Sequence, residues 1–503
     1  MLNSKNQLKI GAVLSYLSIA LSIVSGLIYT PWMIEKIGQS EYGLYTLAYS
    51  LITLFLVDFG LSSATARYLS NYHAQGDQTR VNNFLGMIYK LYILIDAVIM
   101  IALIVVYFLI DTIYVKLTPE ELRQFKVVYV IAASFSIINF PFVTLNGILT
   151  AYEKFVQLKL ADVIYRVLVF LLMVAALLAG YGLYALVTVN AAAGLAIIVY
   201  KLAVIRKNTP VKVNFRYSER SLYKDIFGFS FWTTLASLFQ RLIFNITPSI
   251  LGFVSNSAAI AVFGVVTTIE GHFYTLSSAV NGMFMPRISR IYTGPEAEKN
   301  IYPLMVKVGK FQYALNGLIV AGFAVIGQEF IDLWMGEAFR DAYWGILLVI
   351  IPGLFFNSLQ IANTAIVVTK HVKYNALVNL VMGLINITLS VQLSGKYGVI
   401  GSCISIFAAY LVRNVALNVL YHKKLRINMV QFARDCYLRL SFPIILTVIL
   451  GLWINAFLPF TGWGGLIVKA GCIILIYSIA LLLFGTRSSP GAALRQAASF
   501  LKK

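Results

Sequence analysis

Apolar segments of about 20 residues, the length that crosses the core of a lipid bilayer, recur along the whole chain. Short polar stretches separate fourteen of them, which span residues 10–32, 42–66, 84–109, 127–150, 161–180, 182–205, 226–252, 258–285, 308–329, 343–368, 374–393, 398–420, 438–458 and 464–485. An α-helix satisfies its own backbone hydrogen bonds in lipid, which an open strand does not. The pattern therefore predicts an all-α polytopic membrane protein with about 14 transmembrane helices.

The second half of the chain repeats the first at an offset of 217 residues. Thr30-Pro31 closes the first apolar segment and Thr247-Pro248 closes the seventh, while Ser40 and Ser257 each precede the segment that follows. Like-oriented repeats in transporters are related by an axis along the membrane normal, and the substrate site lies at their interface. We therefore predict two pseudo-symmetric six-helix lobes plus two C-terminal helices, with a substrate path between the lobes.

The repeat also sets the predicted domain boundaries. Residues 1–205 form an N-lobe of helices 1–6, and residues 226–421 form a C-lobe of helices 7–12. A basic cytoplasmic linker, 206–225, joins the lobes, and 422–503 contains helices 13 and 14 with a cytoplasmic tail. Helices 13 and 14 are almost uniformly apolar, which favours a lipid-facing position.

Composition excludes a soluble protein, since 59% of the residues are hydrophobic and only 12% are charged, with a mean hydropathy of +0.81. The net charge of +20 does not indicate nucleic acid, because the basic residues alternate with the spans. Of the 40 Lys and Arg, 30 fall in predicted inner segments and 6 in predicted outer loops. This positive-inside bias places both termini in the cytoplasm. We expect the basic segment 201–225 to contact anionic lipid headgroups.

The chain offers no sign of a bound cofactor. Two of its three cysteines lie in apolar spans, its four histidines are scattered, and no spacing is typical of a metal site. It also lacks the GxxxxGK[ST] sequence of ATP-binding loops. We therefore expect no cofactor and no direct use of ATP, which leaves H⁺ or Na⁺ as candidate coupling ions.

Three sequence blocks resemble a known family. They are TPWMIEKIGQSEYGLYTLAYS at 30–50, LNGILTAYEKF at 145–155 and FIDLWMGEAFRDAY at 330–343. Over about residues 1–430 the chain resembles bacterial polysaccharide transporters, the O-antigen and capsule repeat-unit flippases of the multidrug/oligosaccharidyl-lipid/polysaccharide exporter superfamily.

That resemblance implies a specific function. An undecaprenyl-diphosphate-linked oligosaccharide would be moved from the inner to the outer leaflet of the bacterial inner membrane by alternating access. The product would feed O-antigen, lipopolysaccharide, capsule or exopolysaccharide synthesis, with a polysaccharide polymerase and chain-length proteins as partners. Such a protein is a transporter and not an enzyme.

Charged residues inside the spans are functional candidates, because a charge in hydrocarbon is costly. Asp96, Arg241 and Glu270 lie roughly 16–22 Å from a helix end at 1.5 Å per residue, and Asp58 lies in the inner third of predicted helix 2. These four should face the bundle interior or water.

Three other charged residues of the spans lie nearer to the helix ends. Lys90, Arg166 and Lys469 are close enough to an end for their side chains to extend to the headgroups. We predict that they act as membrane anchors.

Helices 7 and 8 each carry a polar stripe with helical spacing. The stripes consist of Thr234, Ser237, Arg241, Asn245 and Pro248 on one helix and Thr267, Glu270, Tyr274, Ser277 and Asn281 on the other. Hydrogen bonding between helices would account for the Ser and Thr members alone. A buried Arg and a buried Glu favour a water-filled cavity instead.

The substrate-binding candidates are therefore Arg241, Glu270, Asn245, Tyr274, Asn281, Asp58 and Asp96. A diphosphate suits the forked guanidinium of Arg241, and Asn and Tyr side chains suit sugar hydroxyls. Glu270 is expected near Arg241 to balance its charge. The three carboxylates Glu270, Asp96 and Asp58 are the candidates for ion coupling.

Three alternatives stay open. Two belong to the same superfamily: a lipid II-type flippase and a multidrug cation antiporter. The third is a multi-span polysaccharide polymerase or glycosyltransferase, although the chain has neither a large outer loop nor an Asp-x-Asp motif.

Overall fold

The computed structural model describes residues 4–56, 58–278, 284–293, 297–457 and 460–485. Within these ranges the regular elements are all helical. The α-helices are α1 (Ser4–Ile37), α2 (Gln39–Phe55), α3 (Leu61–Ala74), α4 (Gln78–Ile113), α5 (Pro119–Asn139), α6 (Thr144–Ala151), α7 (Phe155–Leu178), α8 (Leu183–Asn208), α9 (Arg220–Phe244), α10 (Thr247–Val254), α11 (Ser257–Ser278), α12 (Met285–Thr293), α13 (Ala297–Met335), α14 (Asp341–Ser358), α15 (Gln360–Val368), α16 (Val372–Leu425), α17 (Met429–Ala433), α18 (Arg439–Phe457) and α19 (Gly462–Ala480).

The predicted class, an all-α polytopic membrane protein, is confirmed, but the count of 14 helices is not. Twelve helices in the described residues are long and apolar enough to cross a membrane. The numbers differ at two places. Predicted segments 374–393 and 398–420 are two helices that meet at a kink at Gly398 (φ 56°, ψ −132°), and they count here as the single element α16. Predicted segment 42–66 is instead divided between the shorter helices α2 and α3.

Helix starts follow local capping chemistry. At the start of α5, the Thr118 hydroxyl accepts from the Glu121 backbone N–H, and the Glu121 carboxylate accepts from the Thr118 backbone N–H at 2.8 Å. This reciprocal pair satisfies two N–H groups that have no partner inside the helix. Asp77 caps α4 by accepting from the Arg80 backbone N–H at 2.9 Å.

The chain divides into two compact units, Met1–Gly264 with Ser394–Gly398 and Val265–Leu393 with Val399–Lys503. The first therefore contains α1–α10 and the beginning of α11, while most of α11–α19 belongs to the second. The lobe boundaries expected from the sequence repeat stay predictions.

Polar contacts in the first unit engage two of the three predicted membrane anchors. The Lys90 ammonium on α4 donates to the Tyr217 carbonyl at 2.9 Å. The Arg166 guanidinium on α7 donates to the Ser18 and Ser22 hydroxyls of α1. Both side chains thus join separate elements of the protein.

The anchor prediction for Lys469 is wrong. Its ammonium lies 2.7 Å from the Glu329 carboxylate of α13, and the Lys469 side chain is only 7% exposed. Helices α13, α18 and α19 pack closely at Gly317 of α13. A Cβ on this glycine would lie 2.4 Å from Ile444 of α18 and 3.2 Å from the Tyr477 hydroxyl of α19. Lys469 therefore joins α19 to α13 by a buried ion pair.

We predict that Lys469→Met lowers the stability of the purified protein by up to about 3–5 kcal/mol, because it leaves the Glu329 carboxylate, which is only 22% exposed, without its partner. The double variant Lys469→Met/Glu329→Gln should recover most of that loss, since neither charge is then buried. Thermal unfolding in detergent measures both.

The ion pair between Arg340 and Asp332 serves as the control. The Arg340 side chain is 55% exposed, and an exposed pair contributes only about 0–1 kcal/mol. Arg340→Met should therefore change the unfolding midpoint little, and an equal loss in both single variants would contradict the structural role of Lys469.

Candidate functional site

A break in the chain between α2 and α3 organises the polar groups of the first unit. Helix α2 ends at Phe55, and α3 begins at Leu61 after Phe59 and Gly60, which both have left-handed backbone angles (φ 52° and 67°). The last carbonyls of α2 have no donor within their own helix. A break inside a membrane protein therefore needs donors from elsewhere.

Arg241 supplies those donors. From the last turn of α9, its Nη1 atom donates to the carbonyls of Thr53 at 2.7 Å and Leu56 at 3.0 Å. A cation at this position also complements the partial negative charge at the C-terminal end of α2. Both hydrogen bonds use the same nitrogen of the half-buried guanidinium.

Asp58 lies in the break itself, and its predicted position within a continuous helix 2 is wrong. Its carboxylate accepts from the Ser62 backbone N–H at 3.2 Å, near the start of α3, and from the Tyr92 hydroxyl. Asp58 also attracts Arg241 electrostatically. The positive charge of Arg241 thus lies at the partially negative C-terminal end of α2, and the negative charge of Asp58 lies at the partially positive N-terminal end of α3.

A cavity of about 150 Å³ adjoins the break and is lined by Thr53 and Leu56, whose carbonyls Arg241 binds. A second cavity of about 230 Å³ shares the lining residues Phe135, Asn139 and Tyr165 with it and extends to Asp162 and Lys201. Cavities whose linings include the polar side chains of Asn139 and Tyr165 therefore lie within the first unit.

The two remaining substrate-binding candidates of the first unit are Asp96 and Asn245. Asp96 on α4 is half-buried, and its Oδ1 atom has no hydrogen-bond partner among the described residues. Asn245 follows the last residue of α9, where its backbone N–H donates to the Arg241 carbonyl at 3.0 Å.

In the second unit, the surroundings of Glu270 and Tyr274 include Arg413, a residue of predicted segment 398–420. Arg413 of α16 is 2% exposed, the largest of the fully buried side chains described. Its guanidinium carbon lies 3.8 Å from the centre of the Phe356 ring. Tyr410 interacts electrostatically with both Glu270 and Arg413.

Arg413 is unusual because its Nε and Nη1 atoms have no hydrogen-bond partner among the described residues. A buried guanidinium with unused donors is costly. Arg413 is not among the site residues predicted from the sequence. The signal was its spacing: Tyr410, Arg413 and Leu417 follow steps of 3 and 4 and share one helical face.

The structure thus brings Asp58 together with Arg241, while Glu270 and Arg413 each interact electrostatically with Tyr274 and Tyr410. Asn281 lies outside the described residues. Arg241 and Glu270 belong to different units, so their expected proximity stays a prediction. Among the residues searched, no group of three His, Cys, Asp or Glu side chains is arranged to hold a metal ion.

A second cluster joins the starts of three helices in the first unit. Ser40 of α2 and Ser257 of α11 both donate to the Glu121 carboxylate of α5, and their Oγ atoms are 3.0 Å apart. The helices approach so closely that a Cβ on Gly43 would lie 2.1 Å from the Ser257 carbonyl oxygen. We call Ser40, Ser257 and Glu121 the serine cluster. It connects two positions that the sequence repeat predicts to be equivalent.

Comparison with known proteins identifies the family. Residues 10–292 match the family described as polysaccharide biosynthesis protein, more than half of the chain. The chain is 22% identical to the membrane protein EpsK of Bacillus subtilis (strain 168) over 420 residues, 80% of each chain. It is also 22% identical over 202 residues to a Shigella flexneri protein described as "Putative O-antigen transporter", covering 40% of this chain and 47% of that one.

Solved structures show the same fold at low sequence identity. The lipid II flippase MurJ in an inward closed conformation superposes with a TM-score of 0.73 at 14% identity, covering 94% of this chain and 98% of that one. An inward-facing multidrug resistance transporter of the MATE family and MOP superfamily gives 0.68 at 14% identity over 84% and 98%. The resemblance found in the three sequence blocks is confirmed: this chain belongs to the polysaccharide biosynthesis protein family and has the fold of the MOP-superfamily transporters.

Proposed function

We propose that this protein is a flippase that moves a polyprenyl-diphosphate-linked oligosaccharide from the inner to the outer leaflet of the bacterial plasma membrane by alternating access. The observation that carries the proposal is Arg241 at the break between α2 and α3, where it binds the carbonyls of two residues that line a cavity. Interrupted helices in transporters present unpaired backbone groups to substrates and ions.

The guanidinium at this break suits a diphosphate. Arg241 uses only Nη1 for the helix carbonyls, so Nε and Nη2 remain for a forked, charge-assisted pair with phosphate oxygens. Asp58 neutralises Arg241 while the site is empty, a role that the sequence analysis gave to Glu270. An arriving diphosphate then competes with Asp58 for the same cation.

The second unit offers a matching set of groups. Arg413 keeps two donors unused, and Tyr274 is 38% exposed on the same helix as Glu270. A cation and an exposed aromatic ring suit the charged and sugar portions of a lipid-linked oligosaccharide. The lipid tail of such a substrate can stay in the bilayer.

Ion coupling remains a proposal. Glu270, Asp96 and Asp58 are the candidate carboxylates, and a carboxylate within the membrane is costly unless a cation neutralises it. Binding of H⁺ or Na⁺ at one of them would couple an ion gradient to transport. The Asp96 Oδ1 atom, which has no hydrogen-bond partner among the residues that the structure describes, is available for this.

Among the alternatives, a lipid II-type flippase differs only in the sugars attached to the same diphosphate chemistry. A multidrug cation antiporter fits less well, because Arg241 and Arg413 would repel a cationic drug. An enzyme is not supported, since the family and its structural relatives are transporters. A polymerase and chain-length proteins are the proposed partners.

We predict that Arg241→Ala abolishes surface polysaccharide and also destabilises the break by about 1–3 kcal/mol, since buried carbonyls lose their donor. Arg241→Gln keeps a donor for those carbonyls without the charge. It should express and unfold normally, yet export poorly. Arg241→Lys should export partially, because it keeps the charge but loses the fork. Complementation of a flippase-null strain measures export.

Arg166→Ala is the matched control, because Arg166 is another intramembrane arginine with hydrogen bonds inside the first unit. We expect export near normal for this variant. Normal export by Arg241→Gln would show that Arg241 serves only as a helix cap and would remove it from the substrate site.

Alternating access predicts that the serine cluster opens during transport, because α2 and α11 belong to different repeats. Ser40→Cys/Ser257→Cys places two thiols where hydroxyls are 3.0 Å apart. Oxidation of the pair should block export, and a reductant should restore it. Each single cysteine variant, treated in the same way, should export normally. Undiminished export by the oxidised pair would contradict the proposed movement.

The orientation also remains to be tested. Cys436 cannot report it, because the side chain is fully buried. The exposed positions Lys116 and Gln75 serve better. In intact cells, a membrane-impermeant thiol reagent should label Lys116→Cys and leave Gln75→Cys unlabelled until the cells are lysed. The reverse pattern would invert the proposed topology and the direction of transport.

A further inference from the structure

A groove of about 780 Å³ lies on the first unit, apart from the break and the serine cluster. Its walls are α4, α6 and α8 together with the segment that follows α8; the lining residues are Tyr89, Leu145, Ile148, Val199, Leu202, Ala203, Ile205, Arg206, Thr209, Pro210, Val211, Lys212 and Val213. The volume falls within the range of about 300–1,000 Å³ typical of ligand pockets.

The linker between α8 and α9, residues 209–219, forms one wall, and we call it the strap. Several hydrogen bonds attach the strap to α4. The Asn214 backbone N–H donates to the Asn82 carbonyl at 3.1 Å, the Lys212 backbone N–H donates to Asn82 Oδ1 at 2.9 Å, and the Lys90 ammonium donates to the Tyr217 carbonyl.

The sequence of α4 permits this attachment through one glycine. A Cβ on Gly86 would lie 1.8 Å from the Asn214 carbonyl oxygen, so no larger residue allows the strap to lie so close. The groove is therefore built by specific contacts and is not a gap beneath a loose loop.

Polarity divides the groove into two parts. Leu145 and Ile148 are buried at its base, while Val199 and Leu202 of α8 are 65% and 40% exposed. Arg206 lies in the last turn of α8. Arg206 and Lys212 are the exposed cations of the lining, which includes no acidic residue.

This arrangement matches one chemical class of ligand. An aliphatic channel that ends at two cations complements an acyl chain that ends at a phosphate. Basic pockets between membrane helices on the cytoplasmic side are sites for anionic lipid headgroups. A sugar would find few hydrogen-bond partners along the aliphatic walls.

We propose that this groove is a binding site for an anionic phospholipid. One acyl chain lies along Val199 and Leu202, and the phosphate contacts Arg206 and Lys212. The lipid thereby fixes the strap, which links α8 to α9, at the membrane surface. The site is separate from the proposed substrate site and does not depend on it.

The test uses photoactivatable phosphatidylglycerol, with the reactive group in its acyl chain, at a low fraction in phosphatidylcholine vesicles containing the full-length protein. Peptide mapping after irradiation should find cross-links within 199–213 and at Tyr89. Photoactivatable phosphatidylcholine should label these peptides several-fold less.

Two double variants with the same change of charge distinguish lipid binding in the groove from general attraction of anionic lipid to the basic surface. Arg206→Glu/Lys212→Glu should lower labelling by phosphatidylglycerol about tenfold or more, since each basic residue near the surface contributes appreciably to the attraction of anionic lipid. Lys207→Glu/Arg216→Glu makes the same change of charge on exposed residues outside the lining. It should change labelling less than about twofold.

A third variant tests the acyl channel without any change of charge. Ala203→Trp fills the groove from the exposed side of α8 and should lower the labelling while the protein stays folded. Equal losses in the two charge-reversal variants, unchanged labelling in Arg206→Glu/Lys212→Glu, or cross-links outside the groove would each overturn the proposal. None of these readouts requires export.

Discussion

Backbone polar groups cannot be left unpaired within a membrane protein, and the break between α2 and α3 is where this constraint is most demanding. The α2 end exposes carbonyls and the α3 start exposes N–H groups. Arg241 binds the carbonyls, and Asp58 binds an N–H of α3. Two residues that look from the sequence like isolated intramembrane charges are therefore each tied to a helix end. The geometry of the first unit depends on that pairing.

Small residues allow the other polar contacts to form. Gly43 allows Ser257 to reach Glu121, Gly86 allows the strap to contact α4, and Gly317 allows α18 to approach α13. Within membranes, helix association depends on close packing and hydrogen bonds, because lipid tails are as apolar as the side chains. Close contacts at these glycines thus bring neighbouring helices and segments near enough for their polar groups to pair.

Much of the fold follows from the sequence, because the length and apolarity of a span are dictated by the bilayer. Interruptions are harder to predict, since hydropathy does not register them. Segment 42–66 breaks near Asp58 although most of its residues are apolar, whereas the boundary predicted between segments 374–393 and 398–420 is observed as the kink at Gly398.

The candidate site was predicted less completely. Arg241, Glu270 and Asp58 were found because charges stand out in apolar spans. Arg413 was missed because the predicted segment ends at residue 420, which places Arg413 close to the membrane surface. The helix in fact continues to Leu425, so Arg413 lies further from its end. Lys469 was misjudged for a related reason: its partner, Glu329, lies 140 residues away in the chain, and no local pattern connects them.

The double use of Arg241 links substrate binding to helix geometry under the proposed function. Because one nitrogen holds the end of α2 while the others face a ligand, any displacement of the guanidinium toward a diphosphate weakens the two carbonyl bonds. Asp58 loses its electrostatic partner at the same moment and retains the N–H of α3. A ligand shifts a conformational equilibrium only by its difference in affinity for the two states, and here that difference arises from the same hydrogen bonds that define the break. Ligand binding at Arg241 therefore affects the position of α2. Because the first turn of α2 carries Ser40, the same helix connects the site to the serine cluster.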